Sequence, residues 1–245
     1  MDTYGLVGWP LGHSFSRRYF TEKFEREGLD AEYLNFELEN VSLLPEVLAN
    51  ATLRGFNVTI PYKQAVMAYL DRIDPVAREI GAVNVVKVES DGTLTGYNSD
   101  VYGFVESIRG MMDGKVDAQR AMVLGVGGAS RAVVHGLRTL GLEVTQVSRR
   151  EGAGDLTYDD LTADIVGAHG VVVNTTPLGM YPNVEGCPQI PYEGIGENHL
   201  CFDLVYNPLE TEFMKRCAAK GAKVKNGLEM LHLQADRAWE IWLQQ

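Results

Sequence analysis

The pattern of hydrophobic and polar residues predicts strands that alternate with helices along the first hundred residues. Short apolar runs that end near glycine or proline suit strands, and aromatic residues that recur at helical spacing suit helices. Strands are predicted over 3–8, 32–38, 56–60, 84–89 and 93–97, and helices over 14–27, 42–50 and shortly after Pro75. We expect Ser42 to cap its helix, Pro61 to begin another, and Asp91-Gly92 to turn a hairpin. This alternation favours a largely parallel sheet.

A second series of elements begins near residue 101. A linking helix is predicted over 102–112, ending near Gly110 or Gly114, and a glycine turn follows the apolar run 121–126. The remaining predictions are strands over 144–148, 170–174, 200–205 and 223–225, and helices over 129–140 and 228–243. The segment 151–155 is a glycine-rich loop where a helix would otherwise be expected.

Composition and charge narrow the classes of protein to consider. The chain has 245 residues, 45% of them hydrophobic, and a formal net charge of −11. At about 150 residues per domain, one or two globular domains are expected. The negative charge argues against general binding to nucleic acid or to an anionic membrane. Neither a signal peptide nor a transmembrane segment is predicted, and the three cysteines and five histidines lack metal-site spacing, so we expect a cytoplasmic protein without a metal.

The run Val123-Leu124-Gly125-Val126-Gly127-Gly128-Ala129-Ser130 has the pattern of a dinucleotide-binding turn. It follows a buried strand and opens a helix, which is the context that this motif requires. Gly125 permits the tight turn, and Gly127 lets backbone N–H groups approach a pyrophosphate at the positive end of the helix. Ser130 replaces the usual third Gly or Ala but is still small.

The end of the next strand bears on the choice of cofactor. In NAD-binding proteins an Asp or Glu at this place holds the ribose 2′-OH. Here Arg149 and Arg150 favour the 2′-phosphate of NADP through charge-assisted hydrogen bonds. The alternative is that both arginines are solvated and that Glu151 serves NAD.

Lys63 and Asp100 are candidates for acid–base chemistry. Lys63 is expected in the first turn of a helix, where the positive end of the dipole disfavours a cation and favours release of its proton. Asp100 follows a strand end, so it could pair with Lys63 and orient a hydroxyl group. The alternatives are that Lys63 is a solvated surface charge and that Asp100, or Ser99, only caps the next helix.

Several further polar residues each allow a structural interpretation and a ligand-binding one. Ser14 and Ser16 can cap the first helix or bind a carboxylate. Asn84 is either a satisfied core amide or a ligand contact. The segment 174–180 follows a strand and would flank the nicotinamide of a bound cofactor. The segment 203–208 ends another strand.

Taken together, these segments resemble the shikimate dehydrogenase family over nearly the whole chain. The matching motifs are HSFS at 13–16, NVTIPYK at 57–63, GAVN at 81–84, NSD at 98–100, GVGGASR at 125–131, NTTPLGM at 174–180, DLVYNP at 203–208 and GLEMLHLQ at 227–234. The dinucleotide motif occurs in many dehydrogenases. NVTIPYK together with the late GLEMLHLQ is far more specific.

The resemblance implies reversible, NADPH-dependent reduction of 3-dehydroshikimate to shikimate in aromatic biosynthesis. It implies the catalytic pair Lys63 and Asp100. It implies substrate contacts by Ser14, Ser16, Thr59, Lys63, Asn84, Asp100, Tyr206 and Gln234. It implies cofactor contacts by Gly125, Val126, Gly127, Gly128, Ala129, Ser130, Arg149, Thr175, Thr176 and Gly227.

The expected fold class is α/β in two domains. Residues 1–100 would form a mainly parallel substrate domain, onto which the final helix 227–245 returns, and residues 101–226 a Rossmann-type NADP domain. A cleft between them would hold substrate and nicotinamide, in a monomer or a homodimer with no nucleic-acid or membrane partner.

Departures from the family pattern keep two alternatives open. Arg17 replaces the usual proline after the serine loop, Arg150 replaces a threonine, and Ala153 stands near the place of a second arginine that would contact phosphate. One alternative is a quinate/shikimate dehydrogenase that uses NAD. The other is a non-catalytic nucleotide-binding protein on the same fold.

Overall fold

The structure, a computed structural model, describes residues 1–12, 15–112 and 119–244. The chain divides into two compact units. Unit 1 comprises Met1–Ser99 and Ala235–Gln245, and unit 2 comprises Asp100–Gln234. Each unit has its own six-stranded sheet.

Unit 1 is built on a mixed sheet. Its elements are β1 Asp2–Gly8, α1 Phe15–Glu27, β2 Ala31–Glu37, α2 Leu44–Leu48, β3 Leu53–Val58, β4 Arg72–Ile73, α3 Pro75–Ile80, β5 Val85–Val88 and β6 Leu94–Tyr97. The strand order is β2-β1-β3-β5-β6-β4. β1 runs parallel to β2 and β3, whereas the predicted hairpin β5–β6 pairs antiparallel with itself and with β3. Parallel pairing predominates in this sheet, as predicted, and the predicted hairpin is present.

Unit 2 has an all-parallel sheet. Its elements are α4 Asp100–Met112, β7 Arg120–Leu124, α5 Gly128–Thr139, β8 Glu143–Ser148, β9 Leu156–Thr157, α6 Ala163–Gly167, β10 Val171–Asn174, β11 Leu200–Asp203, α7 Glu212–Ala218, β12 Lys223–Lys225 and α8 Leu228–Leu243. The order β12-β11-β10-β7-β8-β9 is the doubly wound Rossmann order. It reverses direction between β7 and β10, so the ends of these two strands border the crevice where such folds bind ligands.

Apolar side chains cover both faces of the unit 2 sheet. On one face Phe104 of α4 packs edge-on against Phe202 of β11, with ring centroids 5.4 Å apart. The other face is covered by residues such as Phe213 of α7 and Val166 of α6. Strands buried on both faces read as continuous apolar runs, as in β7 and β10.

An aromatic cluster fills one side of unit 1. It brings Phe20 and Phe24 of α1 against Tyr33 of β2 and the tryptophans of α8. Trp242 donates its indole N–H to the Val86 carbonyl at 3.0 Å. The end of α8 is thus held on the unit 1 sheet by both packing and a buried hydrogen bond.

The division between the units falls inside α8 rather than at residue 227. The helix runs continuously over Leu228–Leu243, as predicted, but residues before Ala235 belong to unit 2. Met230 lies in the unit 2 core with Phe104. The early part of the helix therefore packs within unit 2, which the amphipathic pattern alone does not reveal.

Two local predictions were wrong. Asn40, not Ser42, caps the next segment, because its side chain accepts the Ser42 N–H and a turn of 3₁₀ helix precedes α2. Pro61 lies in a turn and not in a first helical turn. The linking helix α4 continues past Gly110 to Met112, the end of its predicted range, and Gly114 lies outside the described residues.

Within the described ranges no helix is long and apolar enough to cross a bilayer. The same ranges bring together no set of three or more His, Cys, Asp or Glu side chains that could hold a metal ion. Cys187, Cys201 and Cys217 are buried free thiols.

Candidate active site

The two units carry different parts of the predicted site. Unit 1 contains Ser16, Thr59, Lys63 and Asn84. Unit 2 contains Asp100, Tyr206, Gln234 and the residues predicted to bind the cofactor. Ser14 lies outside the described residues.

Ser16 is the second residue of α1 rather than part of the loop before it. Its side chain is half-buried. Burial raises the pKa of Tyr33 on β2 well above its ordinary value, and the Ser16 side chain opposes this rise.

Lys63 lies in a turn after β3. The Tyr62 N–H donates to the Thr59 carbonyl at 2.9 Å, and the Lys63 carbonyl accepts the Val83 N–H at 2.7 Å. The helix that follows is a short 3₁₀ segment, Ala65–Tyr69, so Lys63 precedes it instead of lying in its first turn. The predicted dipole argument for Lys63 is thus wrong, and its backbone is fixed by these turn contacts.

Asn84 and Thr59 lie beside this turn. Asn84 is buried, and its side-chain amide donates to the Ser99 hydroxyl at 3.1 Å and accepts the Ser99 N–H at 2.7 Å. Thr59 is half-buried directly after β3, and its N–H donates to the Val7 carbonyl at 2.9 Å. Asn84 is therefore a hydrogen-bonded amide at the same strand end as Lys63.

Asn57 and Tyr33 form a buried link that the sequence analysis missed. The Tyr33 hydroxyl donates to Asn57 Oδ1 at 2.7 Å, and Asn57 Nδ2 donates to the Asn84 carbonyl at 3.3 Å. Asn57 stands in an apolar strand and begins the NVTIPYK motif, which was the one available signal. Tyr33 was indistinguishable from other strand aromatics.

In unit 2, Asp100 is the first residue of α4 and is buried. Gln234 lies on α8, half-buried, and its side-chain amide donates to the Leu231 carbonyl at 2.9 Å. Tyr206 follows β11 and is 36% exposed. Asp100 and Gln234 are thus positioned by helices, and Tyr206 lies in a loop.

The glycine loop has the geometry of an anion site. Gly125 has a φ of +115°, and a Cβ there would lie 2.7 Å from Thr175 Oγ1, so only glycine suits this turn. Gly127 is the N-cap of α5, and no N-cap side chain accepts a hydrogen bond there. A Cβ on Gly127 or Gly128 would meet no atom within 4 Å, which leaves open space over the helix start. Backbone N–H groups and a helix dipole are therefore presented together.

Ser130 and Val126 complete this loop. The Ser130 hydroxyl donates to the Gly127 carbonyl at 2.7 Å, and the side chain is fully buried. Ala129 and Val126 are partly exposed. Ser130 therefore stabilises the loop through this hydrogen bond and keeps the third position of the glycine motif small.

Arg149 is exposed directly after β8. Its positive charge opposes the rise in the pKa of Tyr158 that burial causes. Arg150 and Glu151 are also exposed, in the predicted loop that replaces a crossover helix. The short strand β9 follows this loop and pairs with β8.

A buried carboxylate holds the two loops that follow β10 and β11. Asp203 Oδ1 accepts the Asn174 side-chain N–H and the Val205 N–H, each at 3.0 Å, and Oδ2 accepts the Thr211 hydroxyl at 2.6 Å. Burial raises the pKa of Asp203 to about 6, and these hydrogen bonds oppose the rise. Sequence analysis gave Asp203 no role beyond ending a strand.

Thr175 and Thr176 are positioned by this network. The Asn174 side-chain oxygen accepts the Thr176 N–H at 3.0 Å and its hydroxyl at 2.7 Å. The Thr175 hydroxyl donates to the Leu124 carbonyl at 2.8 Å. Both threonines therefore lie at the ends of β10 and β7, where the strand order reverses.

Gly227 lies directly before α8 and is buried. A Cβ at this position would collide with the Leu204 carbonyl, and the Gly227 N–H donates to Val205 at 3.2 Å. The chain can pass this close to β11 only with glycine.

These features of unit 2 fit a dinucleotide. The open start of α5, with its exposed N–H groups, suits a pyrophosphate. Arg149 supplies a cation after the neighbouring strand β8, where proteins of this fold bind the adenosine ribose of a dinucleotide. The threonines beside the reversal point lie where a nicotinamide would be flanked.

Comparison with known proteins decides the family. The model of the shikimate dehydrogenase substrate-binding domain matches residues 6–86. A shikimate dehydrogenase (NADP(+)) of Bacillus mycoides is 35% identical over 98% of this chain and 91% of its own length. The chain belongs to the shikimate dehydrogenase family.

Solved structures of a shikimate dehydrogenase and of a quinate dehydrogenase have the same fold. The shikimate 5-dehydrogenase of Thermus thermophilus, in complex with NADP(H) and shikimate, aligns with a TM-score of 0.87 at 34% identity, covering 99% of this chain and 94% of that one. The quinate dehydrogenase of Corynebacterium glutamicum, in complex with NAD, aligns with a TM-score of 0.89 at 25% identity, over 99% and 93%. The predicted family and the α/β, Rossmann-type fold class are confirmed.

Proposed function

We propose that this chain catalyses the reversible, NADPH-dependent reduction of 3-dehydroshikimate to shikimate in aromatic biosynthesis. The observation that carries the proposal is the match, over nearly its full length, to relatives named NADP-dependent shikimate dehydrogenases. The predicted oxidoreductase activity and the NADP cofactor are confirmed by these relatives and by the Thermus thermophilus complex.

Substrate binding is assigned to residues around the unit 1 strand ends and to three residues of unit 2. Ser14 and Ser16 would hold the substrate carboxylate, because hydroxyl groups and N–H groups at a helix start suit an anion. Thr59, Asn84, Asp100 and Gln234 would contact ring hydroxyl groups, and Tyr206 would border the ring. The fixed amide of Asn84 supports this assignment, since a preformed contact loses little entropy on binding.

Cofactor binding is assigned to Gly125–Ser130 for the pyrophosphate and to Arg149 for the 2′-phosphate. Thr175, Thr176 and Gly227 would border the nicotinamide end. When bound, NADPH supplies the hydride that reduces the substrate ketone. The protein's part is to hold the reacting groups within range, where proximity matters most.

Proton transfer is assigned to Lys63. Its ammonium Nζ donates a proton to the oxygen of the ketone as that oxygen gains charge, and accepts it back in the reverse reaction. Asp100 would orient both this ammonium and a substrate hydroxyl. The turn contacts of Lys63 support the role, because they fix the backbone from which the side chain extends.

A second candidate is a quinate/shikimate dehydrogenase that uses NAD. The loop after β8 favours it, because Glu151 lies near Arg149 in sequence and Ala153 stands near the place of a second arginine. The fold similarity to an NAD-bound quinate dehydrogenase is consistent with such a change of substrate and cofactor on one fold.

A spectrophotometric assay of the purified chain separates these functions. The proposal expects oxidation of NADPH with 3-dehydroshikimate at a kcat/KM at least about tenfold above that with NADH, as one charge-assisted contact to the 2′-phosphate would give. Preference for NADH, or for quinate and NAD in the reverse direction, would favour the second candidate. Binding of NADPH without turnover of either substrate would indicate a non-catalytic nucleotide-binding protein.

We further propose a cytoplasmic monomer or homodimer with a substrate domain and an NADP domain. The two compact units support this organisation, with residues 1–99 carrying the carboxylate and lysine contacts. Sedimentation of the purified chain would distinguish monomer from homodimer.

A further inference from the structure

We propose that Asp203 is a positioning residue for the nicotinamide half of the cofactor, because its carboxylate joins the loops that carry Thr176 and Tyr206 to the start of α7. The inference rests on the proposed function, which places Thr175 and Thr176 at the nicotinamide end of the cofactor and Tyr206 beside the substrate ring. Asp203 itself is assigned to neither ligand.

Asp203 and Asn174 end neighbouring strands at the same level of the sheet. They are register partners in the parallel pair of β11 and β10, and both are fully buried. Because side chains alternate along a strand, Asp203 shares a face with Cys201, which belongs to the same apolar cluster as Phe213 of α7. The carboxylate is therefore enclosed between the sheet and α7.

Three hydrogen-bond donors converge on this carboxylate, and other contacts determine how they face it. The Asn174 side-chain oxygen accepts two hydrogen bonds from Thr176, so its amide nitrogen is the atom that faces Asp203. Thr211 caps α7 with its hydroxyl oxygen, which leaves its single hydrogen for Asp203 Oδ2. The third donor is the backbone N–H of Val205.

An ionised carboxylate accepts all three hydrogens, and its amide isostere cannot. An asparagine has one acceptor oxygen, so its NH₂ group would face either the Thr211 hydroxyl or the two N–H groups and leave a buried donor unpaired. Burial raises the pKa of Asp203 to about 6, and its three donors are all neutral. Packing alone would favour an uncharged residue here, so the carboxylate is explained by the donors that it holds.

The network fixes two loops at the point where the strand order reverses. Through Asn174, Asp203 holds both the N–H and the hydroxyl of Thr176. The two loops also meet each other, because the Tyr181 N–H donates to the Asn207 carbonyl at 3.0 Å. Loss of the carboxylate should therefore loosen both loops together.

The adenosine half of the proposed cofactor site is held by other contacts. The Ser130 hydroxyl donates to the Gly127 carbonyl at the start of α5, and the Gly125 N–H donates to the Val147 carbonyl at 2.9 Å. Arg149 follows β8, which is separated from β11 by β10 and β7. A change at Asp203 should therefore weaken contacts to the nicotinamide and leave those to the 2′-phosphate intact.

Two ligands separate the halves of the site. We compare the Kd of NADP⁺ with that of adenosine 2′,5′-bisphosphate, which has a 2′-phosphate but no nicotinamide, by calorimetry at about pH 8, where Asp203 is ionised. Asp203→Asn should raise the Kd of NADP⁺ about threefold to tenfold, the range of one net hydrogen bond, and change that of the bisphosphate less than about twofold. The kcat for shikimate oxidation should fall about tenfold at saturating NADP⁺, since hydride transfer requires a well-placed nicotinamide.

Substitutions at Thr211 test the network from the other carboxylate oxygen. Thr211→Val removes the hydroxyl at nearly constant volume and should raise the Kd of NADP⁺ as Asp203→Asn does, whereas Thr211→Ser keeps the hydroxyl and should bind as the wild type does. Thr162→Val is the matched control, because Thr162 caps α6 of the same unit through the Ile165 N–H but is exposed. This variant loses a cap of the same kind and should keep the wild-type Kd.

The outcomes are distinct. An Asp203→Asn variant that binds NADP⁺ as the wild type does, or that binds NADP⁺ and the bisphosphate equally more weakly, overturns the positioning role and leaves the proposed function standing. A Kd increase in Thr162→Val as large as that in Thr211→Val assigns the effect to lost stability and also overturns the role. A wild-type chain that binds NADP⁺ without oxidising shikimate overturns the proposed function, and the comparison of the two ligands still decides the role of Asp203.

Discussion

Lys63 is held by a turn and not by a helix. The hydrogen bond from Val83 to its carbonyl and the turn closed between Thr59 and Tyr62 fix its backbone next to Asn84. A lysine that serves as proton donor must first lie within hydrogen-bond reach of its acceptor, so the backbone that carries its flexible side chain has to be fixed. The contacts around Lys63 fix this backbone without a helix dipole.

Replacing Lys63 should remove most of the chemistry. We expect Lys63→Ala to reduce kcat for 3-dehydroshikimate by about 10²- to 10⁴-fold, the usual contribution of one acid–base group. Steady-state assay with NADPH measures the loss. Lys220→Ala, which removes an exposed lysine between α7 and β12, is the control and should retain wild-type turnover. A Lys63→Ala variant with wild-type kcat would exclude Lys63 from the mechanism.

Asp203 makes stability depend on pH. Its pKa is raised from 3.8 to about 6 in the folded protein, because burial disfavours the charged form. The folded state therefore binds more protons than the unfolded state in this window, so this group's stabilising contribution is full below about pH 4 and is lost as pH rises through about 6.

Comparison with an uncharged variant isolates this group. Between about pH 7 and about pH 5 the wild type should gain about 1 kcal/mol of unfolding free energy relative to Asp203→Asn. Urea unfolding of both proteins across this range measures the difference. A difference that stays constant with pH, or that changes in the opposite direction, would contradict the raised pKa.

At the scale of elements, the contact between α4 and α8 depends on one glycine. A Cβ on Gly103 would lie 2.6 Å from the Met230 carbonyl and 3.0 Å from the Gln234 N–H nitrogen. Both are backbone atoms of α8, so the helix itself would have to move. Gly103 thus permits the close approach that places Gln234.

Two glycines of α4 give opposite predictions. Gly103→Ala should destabilise the protein by about 1–3 kcal/mol through overpacking and raise KM for shikimate through Gln234. Gly110→Ala should stabilise it by about 0.5–1 kcal/mol, because Gly110 is exposed, has open space at its Cβ and is a weak helix former. Urea unfolding measures both changes. Equal stability of the two variants would refute the close approach.

Long or strongly patterned elements were predictable, and short ones were not. The helix Leu228–Leu243 was predicted at its observed bounds because sixteen residues carry a sustained helical pattern. The two-residue strands β4 and β9 and the short helices α6 and α7 were missed. Segments this short have too few residues for a period to be recognised, and packing on the sheet stabilises them.

The candidate site likewise has features that were predictable from the sequence and features that were not. The glycine loop was predictable, because strand, turn and helix are encoded locally in 123–131. The link from Tyr33 to Asn57 and the Asp203 network were not predictable, because their partners lie far apart in sequence.

At the scale of the whole molecule, the net charge of −11 opposes the approach of anionic ligands. Both proposed ligands are anions, so they must be held by local donors such as the start of α5 and Arg149. Long-range repulsion is screened by salt more strongly than a direct contact is.

Ionic strength should therefore assist cofactor binding. We expect kcat/KM for NADPH to rise about twofold between about 10 mM and about 100 mM NaCl, as the repulsive field is screened. Arg149→Ala should have a lower kcat/KM and a steeper rise, because the attraction of Arg149 for the 2′-phosphate no longer offsets part of the repulsion. Initial rates at constant pH measure both, and a fall with salt in the wild type would show that local cations dominate its association.

The sequence by itself determined the family, the alternation of strands and helices and the dinucleotide turn, because each is recorded in contiguous residues. Only the tertiary structure decided that α8 is shared between the two units, that Lys63 lies in a turn, and that Tyr33 is joined through Asn57 to the Asn84 carbonyl. The physical reason is that these features depend on contacts between residues far apart in sequence, which form only when the sheets assemble. A local sequence pattern carries no information about such contacts.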